Sequence, residues 1–219
     1  MFKSIHRVMN STDKPKALLL VSSHCPYCHT LETMLQESLN NELLGELDVI
    51  NIEKAPGLAS QYGVRSVPWL QLGKFLFGEV LTPTDLDKWI EHARKGNGHS
   101  EYIGYLLEHG QLAKAVEWIE QGNATLEDVL PLLANLDAKM NIRVGAGAIM
   151  EHFEGLPALR EIIPGLISLL KNDNPAIRTD ACHYLSLTHS RDVLEPLKSM
   201  LDDEDQQVRE VAGESIENL

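Results

Sequence analysis

Two cysteines separated by two residues constrain this chain more than any other feature. The tetrad Cys25-Pro26-Tyr27-Cys28 follows the apolar run Ala17-Leu18-Leu19-Leu20-Val21 and precedes a stretch with apolar residues at every third or fourth position. This order predicts a strand, a tight turn and a helix, with the dithiol at the junction. The first N–H groups of a helix have no intrahelical partner and stabilise a thiolate. The pattern is typical of a redox-active dithiol.

The residues of the tetrad predict different roles for the two thiols. Pro26 suits the first position of a helix because it lacks an N–H, which places Cys25 at the N-cap. We expect the helix start, helped by positive charge on the adjacent His24, to lower the pKa of the Cys25 thiol. Pro26 and His24 are therefore the candidates for tuning this pKa. Cys25 is the predicted nucleophile, and Cys28, one turn later, the thiol that resolves a mixed disulfide.

The two cysteines and the histidines that flank them could also form a metal site. His24, Cys25, Cys28 and His29 offer two sulfurs and two nitrogens, which are ligands that zinc prefers. Residues next to each cysteine in sequence point away from it at a helix start, and the chain contains no second Cys-x-x-Cys pair. We therefore expect neither a metal nor another cofactor. The third cysteine, Cys182, lies in an alanine-rich helical pattern, where a buried apolar role is favoured over a reactive thiol.

The two halves of the chain have different periodicities. Up to the linker at Gly96-Asn97-Gly98 the pattern alternates between strands and helices in the order βαβαββα, which predicts an α/β domain over residues 1–96. The predicted elements, after a short amphipathic segment at Phe2–Met9, are Ala17–Val21, Pro26–Leu39, Leu47–Ile52, Pro56–Tyr62, Trp69–Leu72, Phe75–Phe77 and Asp85–Arg94 with Thr84 as its N-cap.

Residues 97–219 are predicted to be helical, with an internal repeat. Pro131, Pro164 and Pro196 each lie in a first helix, and an arginine at the start of a second helix follows 12 to 14 residues later. These second helices begin at Ile142-Arg143, Ile177-Arg178 and Val208-Arg209. A repeat of this length predicts stacked helix pairs, an α-solenoid, preceded by a further helical hairpin over residues 102–122.

The first half resembles the thioredoxin superfamily, and its tetrad is of the glutaredoxin type. The resemblance rests on Asn51-Ile52-Glu53, the stretch from Pro56-Gly57 to Tyr62-Gly63-Val64-Arg65, and the Val67-Pro68 pair. It implies a cis peptide bond at Val67-Pro68 that faces the dithiol and a backbone edge there that pairs with a substrate strand. Trp69 follows this pair, and it either lines the substrate groove or packs in the strand. The chain departs from thioredoxin at Leu19, where thioredoxins carry a buried acid, and at Val49, where they carry the accompanying lysine.

The second half resembles bacterial HEAT repeats. The best match is Asn174-Pro175-Ala176-Ile177-Arg178-Thr179-Asp180-Ala181. The resemblance implies a scaffold for protein interaction without chemistry of its own. It also implies a structural ladder between repeats, to which we assign Asp173, Arg178, Asp205 and Arg209.

The distribution of charge along the chain indicates which classes of partner are favoured. Up to Lys95 the chain has ten Lys and Arg against eleven Asp and Glu, and from Gly96 onward nine against twenty-one. Such an acidic second half argues against nucleic acid or an anionic membrane as a partner. It suits a basic client protein, although an acidic surface that only aids solubility explains the charge equally well. The N-terminal residues lack a signal-peptide pattern, and we expect a cytoplasmic protein.

These observations favour a thiol-disulfide oxidoreductase that reduces a client protein docked on a helical scaffold. A cytosolic glutathione pool is more reducing than glutaredoxin-type dithiols, so the dithiol is the expected resting form. The alternative is a non-enzymatic adaptor or redox sensor that uses a thioredoxin-like module for interaction. The intact Cys25 and Cys28 pair favours the first hypothesis, and the missing buried acid favours the second.

Overall fold

A computed structural model describes residues 14–219 of the chain, so the predicted segment Phe2–Met9 lies outside the described residues. Contacts divide the chain into two compact units between Gly98 and His99, two residues beyond the boundary expected from the sequence. The first unit is a mixed α/β fold and the second is helical, as predicted.

From residue 14 onward the first unit contains four strands and three helices in the predicted order βαβαββα. They are β1 (Lys16–Val21), α1 (Cys28–Asn40), β2 (Glu46–Asn51), α2 (Pro56–Gln61), β3 (Trp69–Leu72), β4 (Phe75–Phe77) and α3 (Pro83–Lys95).

Strand β1 is central because it pairs on both sides. The order across the sheet is β2-β1-β3-β4, with β1 parallel to β2 and antiparallel to β3. Its residues Leu19 and Leu20 are fully buried, as expected for an apolar run inside a sheet. The outer strand β2 has three polar residues among its six and none that is buried, which suits an edge strand. Val21 pairs with Asn51, so the ends of β1 and β2 lie side by side.

Helix α3 corrects one predicted cap. The expected N-cap was Thr84, but the helix begins at Pro83 and Thr82 is its N-cap. The Thr82 hydroxyl accepts the N–H of Asp85 at 3.1 Å, and Pro83 occupies the first turn, where its missing N–H is no loss. The helix packs Trp89 against Phe75 and Phe77, with ring centroids 5.1 and 5.4 Å apart.

The second unit consists of helices joined by short turns. They are α4 (His99–Glu108), α5 (Leu112–Glu120), α6 (Leu130–Leu133), α7 (Met140–His152), α8 (Pro157–Glu161), α9 (Ile163–Leu169), α10 (Pro175–Ser186), α11 (Leu194–Ser199) and α12 (Gln206–Glu217), with 3-10 turns at Leu126–Val129, Arg191–Val193 and Met200–Asp202. The prolines predicted for first helices lie in α6, α9 and α11, and α7, α10 and α12 are the predicted second helices. Helix α10 packs against both α9 and α12, so adjacent repeats share a core.

The interaction that joins the last two repeats centres on Arg178. Its guanidinium donates to both carboxylate oxygens of Asp203 at 2.8 and 2.9 Å, and the two side chains are 8% and 9% exposed. It also donates to the backbone carbonyls of Asn172 and Asp173. The guanidinium holds the pKa of Asp203 below its usual value.

The expected ladder is thus built with a different acid. Arg209 donates to the Asp203 carbonyl at 2.6 Å and to the Glu204 carbonyl at 3.0 Å. The Asp205 side chain caps α12 by accepting the N–H groups of Gln207 and Val208 at 2.9 and 3.2 Å. Asp205 lies at the N-cap, so its carboxylate is used within its own helix, and Asp203 bridges to α10.

We predict that Arg178→Ala lowers the free energy of unfolding by about 3–5 kcal/mol, because it leaves the buried Asp203 carboxylate unpaired. Urea unfolding followed by far-UV circular dichroism measures the loss. Arg191→Ala, at an exposed arginine of the same unit, is the control and should stay within about 0.5 kcal/mol of wild type. Equal losses in the two variants contradict a structural role for the ion pair.

Candidate functional site

The two cysteines meet at the end of β1. Their sulfurs are bonded, at 2.16 Å, and their Cα atoms lie 5.4 Å apart. Cys28 is the first residue of α1 and is 3% exposed, whereas Cys25 precedes the helix and is half-buried. In the oxidised form that the structure describes, Cys25 is thus the sulfur nearer to solvent.

The start of α1 corrects the predicted cap. Cys25 was expected at the N-cap and Pro26 at the first helical position, but the N-cap is Tyr27. The Cys28 N–H reaches the Cys25 carbonyl, three residues back, at a long 3.4 Å, so Cys25 to Cys28 form a turn. The first bond of helical spacing joins the Leu31 N–H to the Tyr27 carbonyl.

The interaction expected at a helix start is nevertheless present. The N–H of Cys28 donates to Cys25 Sγ at 3.1 Å. A backbone donor at this distance favours negative charge on the Cys25 sulfur when the pair is reduced. Pro26 is exposed and lacks an N–H, so it leaves no unpaired donor in this turn.

His24 lies beside an acidic side chain. Its imidazole is 94% exposed, and Nδ1 is 3.9 Å from a carboxylate oxygen of Glu53. The positive charge of a protonated His24 therefore attracts the Glu53 carboxylate, in addition to any effect on the Cys25 sulfur.

Residues that the sequence analysis did not assign to the site tie down the loop before Cys25. The Glu53 carboxylate accepts the N–H of Ser23 at 3.1 Å and also its hydroxyl. Asn51 Nδ2 donates to Ser23 Oγ at 3.0 Å, and the Glu53 N–H donates to Asn51 Oδ1 at 2.9 Å. The two bonds from Ser23, first that of its hydroxyl and then that of its N–H, lower the pKa of Glu53. Asn51 and Glu53 belong to the stretch on which the thioredoxin resemblance rests, but no local sequence pattern indicates that they contact Ser23.

The Val67–Pro68 peptide bond is cis. Leu20 on β1 pairs with Trp69 on β3, so Pro68 comes just before the point where β3 reaches the end of β1. This register brings the proline loop and the dithiol loop to the same edge of the sheet. Pro68 is buried, and Val67 is half-buried.

The burial of Trp69 favours strand packing, one of the two alternatives for this residue. It is only 9% exposed, and its ring centroid lies 5.3 Å from that of Tyr62. Tyr62 follows α2 and is 40% exposed, so it presents more surface to a bound peptide than Trp69 does.

Comparison with known families agrees with both halves of this description. Residues 16–91 match a thioredoxin domain, and residues 126–217 match HEAT repeats. The chain joins a thioredoxin domain to HEAT repeats. No curated protein matches the chain.

The interior of the thioredoxin domain is apolar at position 19. Leu19, which stands where thioredoxins carry a buried acid, is 0% exposed. Val49 is 38% exposed on the outer strand. Proton transfer at Cys28 therefore has to use a group other than a buried carboxylate at position 19, and the exposed His29 next to Cys28 is one such group.

Residues 14–219, the part of the chain that the structure describes, lack two features. No group of three or more His, Cys, Asp or Glu side chains there is arranged to hold a metal ion. None of the helices in that range combines the length and the apolar character needed to cross a membrane.

Cys182 in the HEAT repeats differs chemically from the pair. It is 0% exposed, and burial, followed by the nearby Asp203 carboxylate, raises the pKa of its thiol to about 12. A buried thiol of this kind is inert in exchange chemistry.

We predict that iodoacetamide at pH 6 labels Cys25 of the reduced protein first. Cys28→Ser and Cys25→Ser proteins isolate the two thiols, and Cys25 should react about tenfold faster for each pKa unit that separates them. Mass spectrometry of the labelled peptides measures the order. Cys182 is the internal control and should remain unlabelled until the protein is unfolded. Faster labelling of Cys28 reverses the assignment of nucleophile and resolving thiol.

Proposed function

We propose that the protein is a thiol-disulfide oxidoreductase that reduces disulfides in a client protein bound by its HEAT repeats. The observation that carries the proposal is the bonded pair of Cys25 and Cys28 in a thioredoxin domain, with a backbone N–H on the more exposed sulfur.

The reaction has two exchange steps. The Cys25 thiolate attacks one sulfur of the client disulfide; a Cys25–client S–S bond forms, the client S–S bond breaks, and one client thiolate leaves. The Cys28 thiolate then attacks Cys25 Sγ, which forms the Cys25–Cys28 disulfide and releases the second client thiolate. Two electrons pass from the dithiol to the client, and the protons of the two cysteine thiols end on the client thiols. Two further thiol groups, from two low-molecular-weight thiols or from one protein dithiol, must return the pair to the dithiol and are themselves oxidised to a disulfide.

Substrate binding is assigned to the cis-proline loop. Val67 and Pro68 directly precede the antiparallel strand β3 at the edge that carries the dithiol, and an extended client segment can add its backbone there. In this proposal Trp69 supports the loop from below, and Tyr62 offers an exposed ring beside it.

The HEAT repeats are assigned to docking. The part of the chain that the structure describes holds no cluster of His, Cys, Asp or Glu arranged for a metal ion, and the similarity to HEAT repeats implies a scaffold for protein interaction. The net negative charge beyond residue 96 favours a client with a basic surface. Docking raises the local concentration of the client at the dithiol. We place this chemistry in the cytoplasm, where partner thiols are available.

A redox sensor or adaptor is the second candidate, and the observation in its favour is the buried Leu19 in place of an acid. Both candidates contain an exchangeable disulfide. They differ in turnover, because a sensor changes state once and an oxidoreductase cycles.

We expect the wild-type protein to reduce insulin disulfides catalytically when dithiothreitol is supplied, and Cys25→Ser to abolish this activity. Turbidity of the released insulin chain measures the rate. Cys28→Ser should stall at the mixed disulfide and accumulate a covalent Cys25–client adduct, which non-reducing electrophoresis detects. Cys182→Ser is the matched control and should keep the wild-type rate. A single stoichiometric exchange without turnover favours the sensor.

Docking makes a separate prediction about salt. The Cys28→Ser protein should capture a basic disulfide-containing client more slowly at 1 M than at 0.15 M ionic strength, since the Debye length falls from ~8 to ~3 Å. Replacing Glu210, Glu214 and Glu217, which are exposed on α12, by Gln should also slow capture. Capture of a small neutral disulfide is the control and should not change. Equal salt sensitivity for both substrates removes the case for docking on the acidic repeats.

A further inference from the structure

The closed set of hydrogen bonds between Ser23, Asn51 and Glu53 lies outside the reacting groups but next to them. We infer that this ring is a positioning device that holds Cys25 against Cys28 and so sets the stability of their disulfide. Ser23, Asn51 and Glu53 together are called the Ser23 ring. The inference deepens the proposed function, because it assigns a role to residues that touch neither client nor sulfur.

The ring is closed in the sense that every member both donates and accepts. Ser23 donates twice to the Glu53 carboxylate, through its N–H at 3.1 Å and through its hydroxyl. Asn51 donates to Ser23 Oγ at 3.0 Å and accepts the Glu53 N–H at 2.9 Å. The two bonds from Ser23 go to different oxygens of the Glu53 carboxylate, whereas a carboxamide has one acceptor oxygen and would turn its NH2 group toward one of the two donors. The geometry of the ring therefore suits a carboxylate at position 53.

The location of the ring gives it control over Cys25. Ser23 lies two residues before Cys25, and the Cys25 N–H bonds back to the Ser22 carbonyl at 3.4 Å, so the loop between them is a tight turn. On the other side, Asn51 ends β2, and the Ile52 N–H bonds to the Val21 carbonyl at 2.9 Å. The loop is thus fastened to β2 as well as to β1.

Cys25 is consequently held from two directions. On the helix side, the Cys28 N–H contacts its sulfur at 3.1 Å. On the sheet side, the Ser23 ring fixes where the loop leaves β1. The stability of a disulfide depends on how often its two thiols meet, which is an effective concentration set by the rigidity of the chain that carries them. Loosening one side lowers this effective concentration and favours the dithiol.

The test measures the equilibrium constant of the Cys25–Cys28 disulfide in dithiothreitol and glutathione buffers, with the full chain. Ser23→Ala and Glu53→Gln should each lower the constant for disulfide formation between about threefold and tenfold, the size expected for one hydrogen bond. Tenfold corresponds to ~30 mV for a two-electron couple. Because both substitutions open the same ring, the double variant should lose little more than either single variant.

Two controls separate positioning from other effects. Glu46→Gln removes a carboxylate from the opposite end of β2, where it pairs with Lys16, and should leave the constant unchanged. Ser23→Thr keeps the hydroxyl and therefore its hydrogen bonds, so the equilibrium constant should stay within about twofold of the wild-type value. Thermal unfolding of every variant reports stability separately.

Three outcomes overturn the inference. The constant stays at the wild-type value in Ser23→Ala and Glu53→Gln although their melting temperatures fall, which makes the ring merely structural. Only Glu53→Gln changes the constant and the pH of half-maximal Cys25 alkylation, which makes Glu53 a charge beside His24 and Cys25. The effects of the single variants add in full, which denies a common ring. Failure of the proposed function is distinguishable, because it appears as absent insulin turnover while these constants remain measurable.

Discussion

The double pairing of β1 is the constraint on which the candidate site depends. Because β1 is parallel to β2 and antiparallel to β3, the end of β1, the end of β2 and the start of β3 lie at one edge of the sheet. Three loops that are distant in sequence therefore meet there. They bring the dithiol, the carboxylate of Glu53 and the cis-proline loop to the same place.

The two units use charge in different ways. In the thioredoxin domain the Glu53 carboxylate is held at the surface by the N–H and hydroxyl of Ser23 and shapes one loop. In the HEAT repeats Arg178 and Asp203 form a buried pair whose removal leaves a charge without a partner. The remaining acids of the repeats are mostly at the surface, where they set a long-range field rather than the fold.

Several elements were predictable because their signals are local. The strand β1, the hairpin β3-β4 and the three second helices of the repeats follow from apolar periodicity and from the positions of Gly and Pro. The start of α1 and the cap of α3 were wrong by two residues each. At both ends a proline lies near several candidate cap residues, and only the actual hydrogen bonds decide which one is used.

The sequence by itself determined the class of each half, the order of its elements and which two cysteines are joined, because these depend on periodicity and on one short motif. Tertiary structure decided which side chains meet. The pairing of Arg178 with Asp203, the packing of Trp69 under Tyr62 and the closure of Ser23 with Asn51 and Glu53 all join residues separated along the chain. Such contacts depend on strand register and helix stacking, which bring distant residues together and leave no pattern in the local sequence.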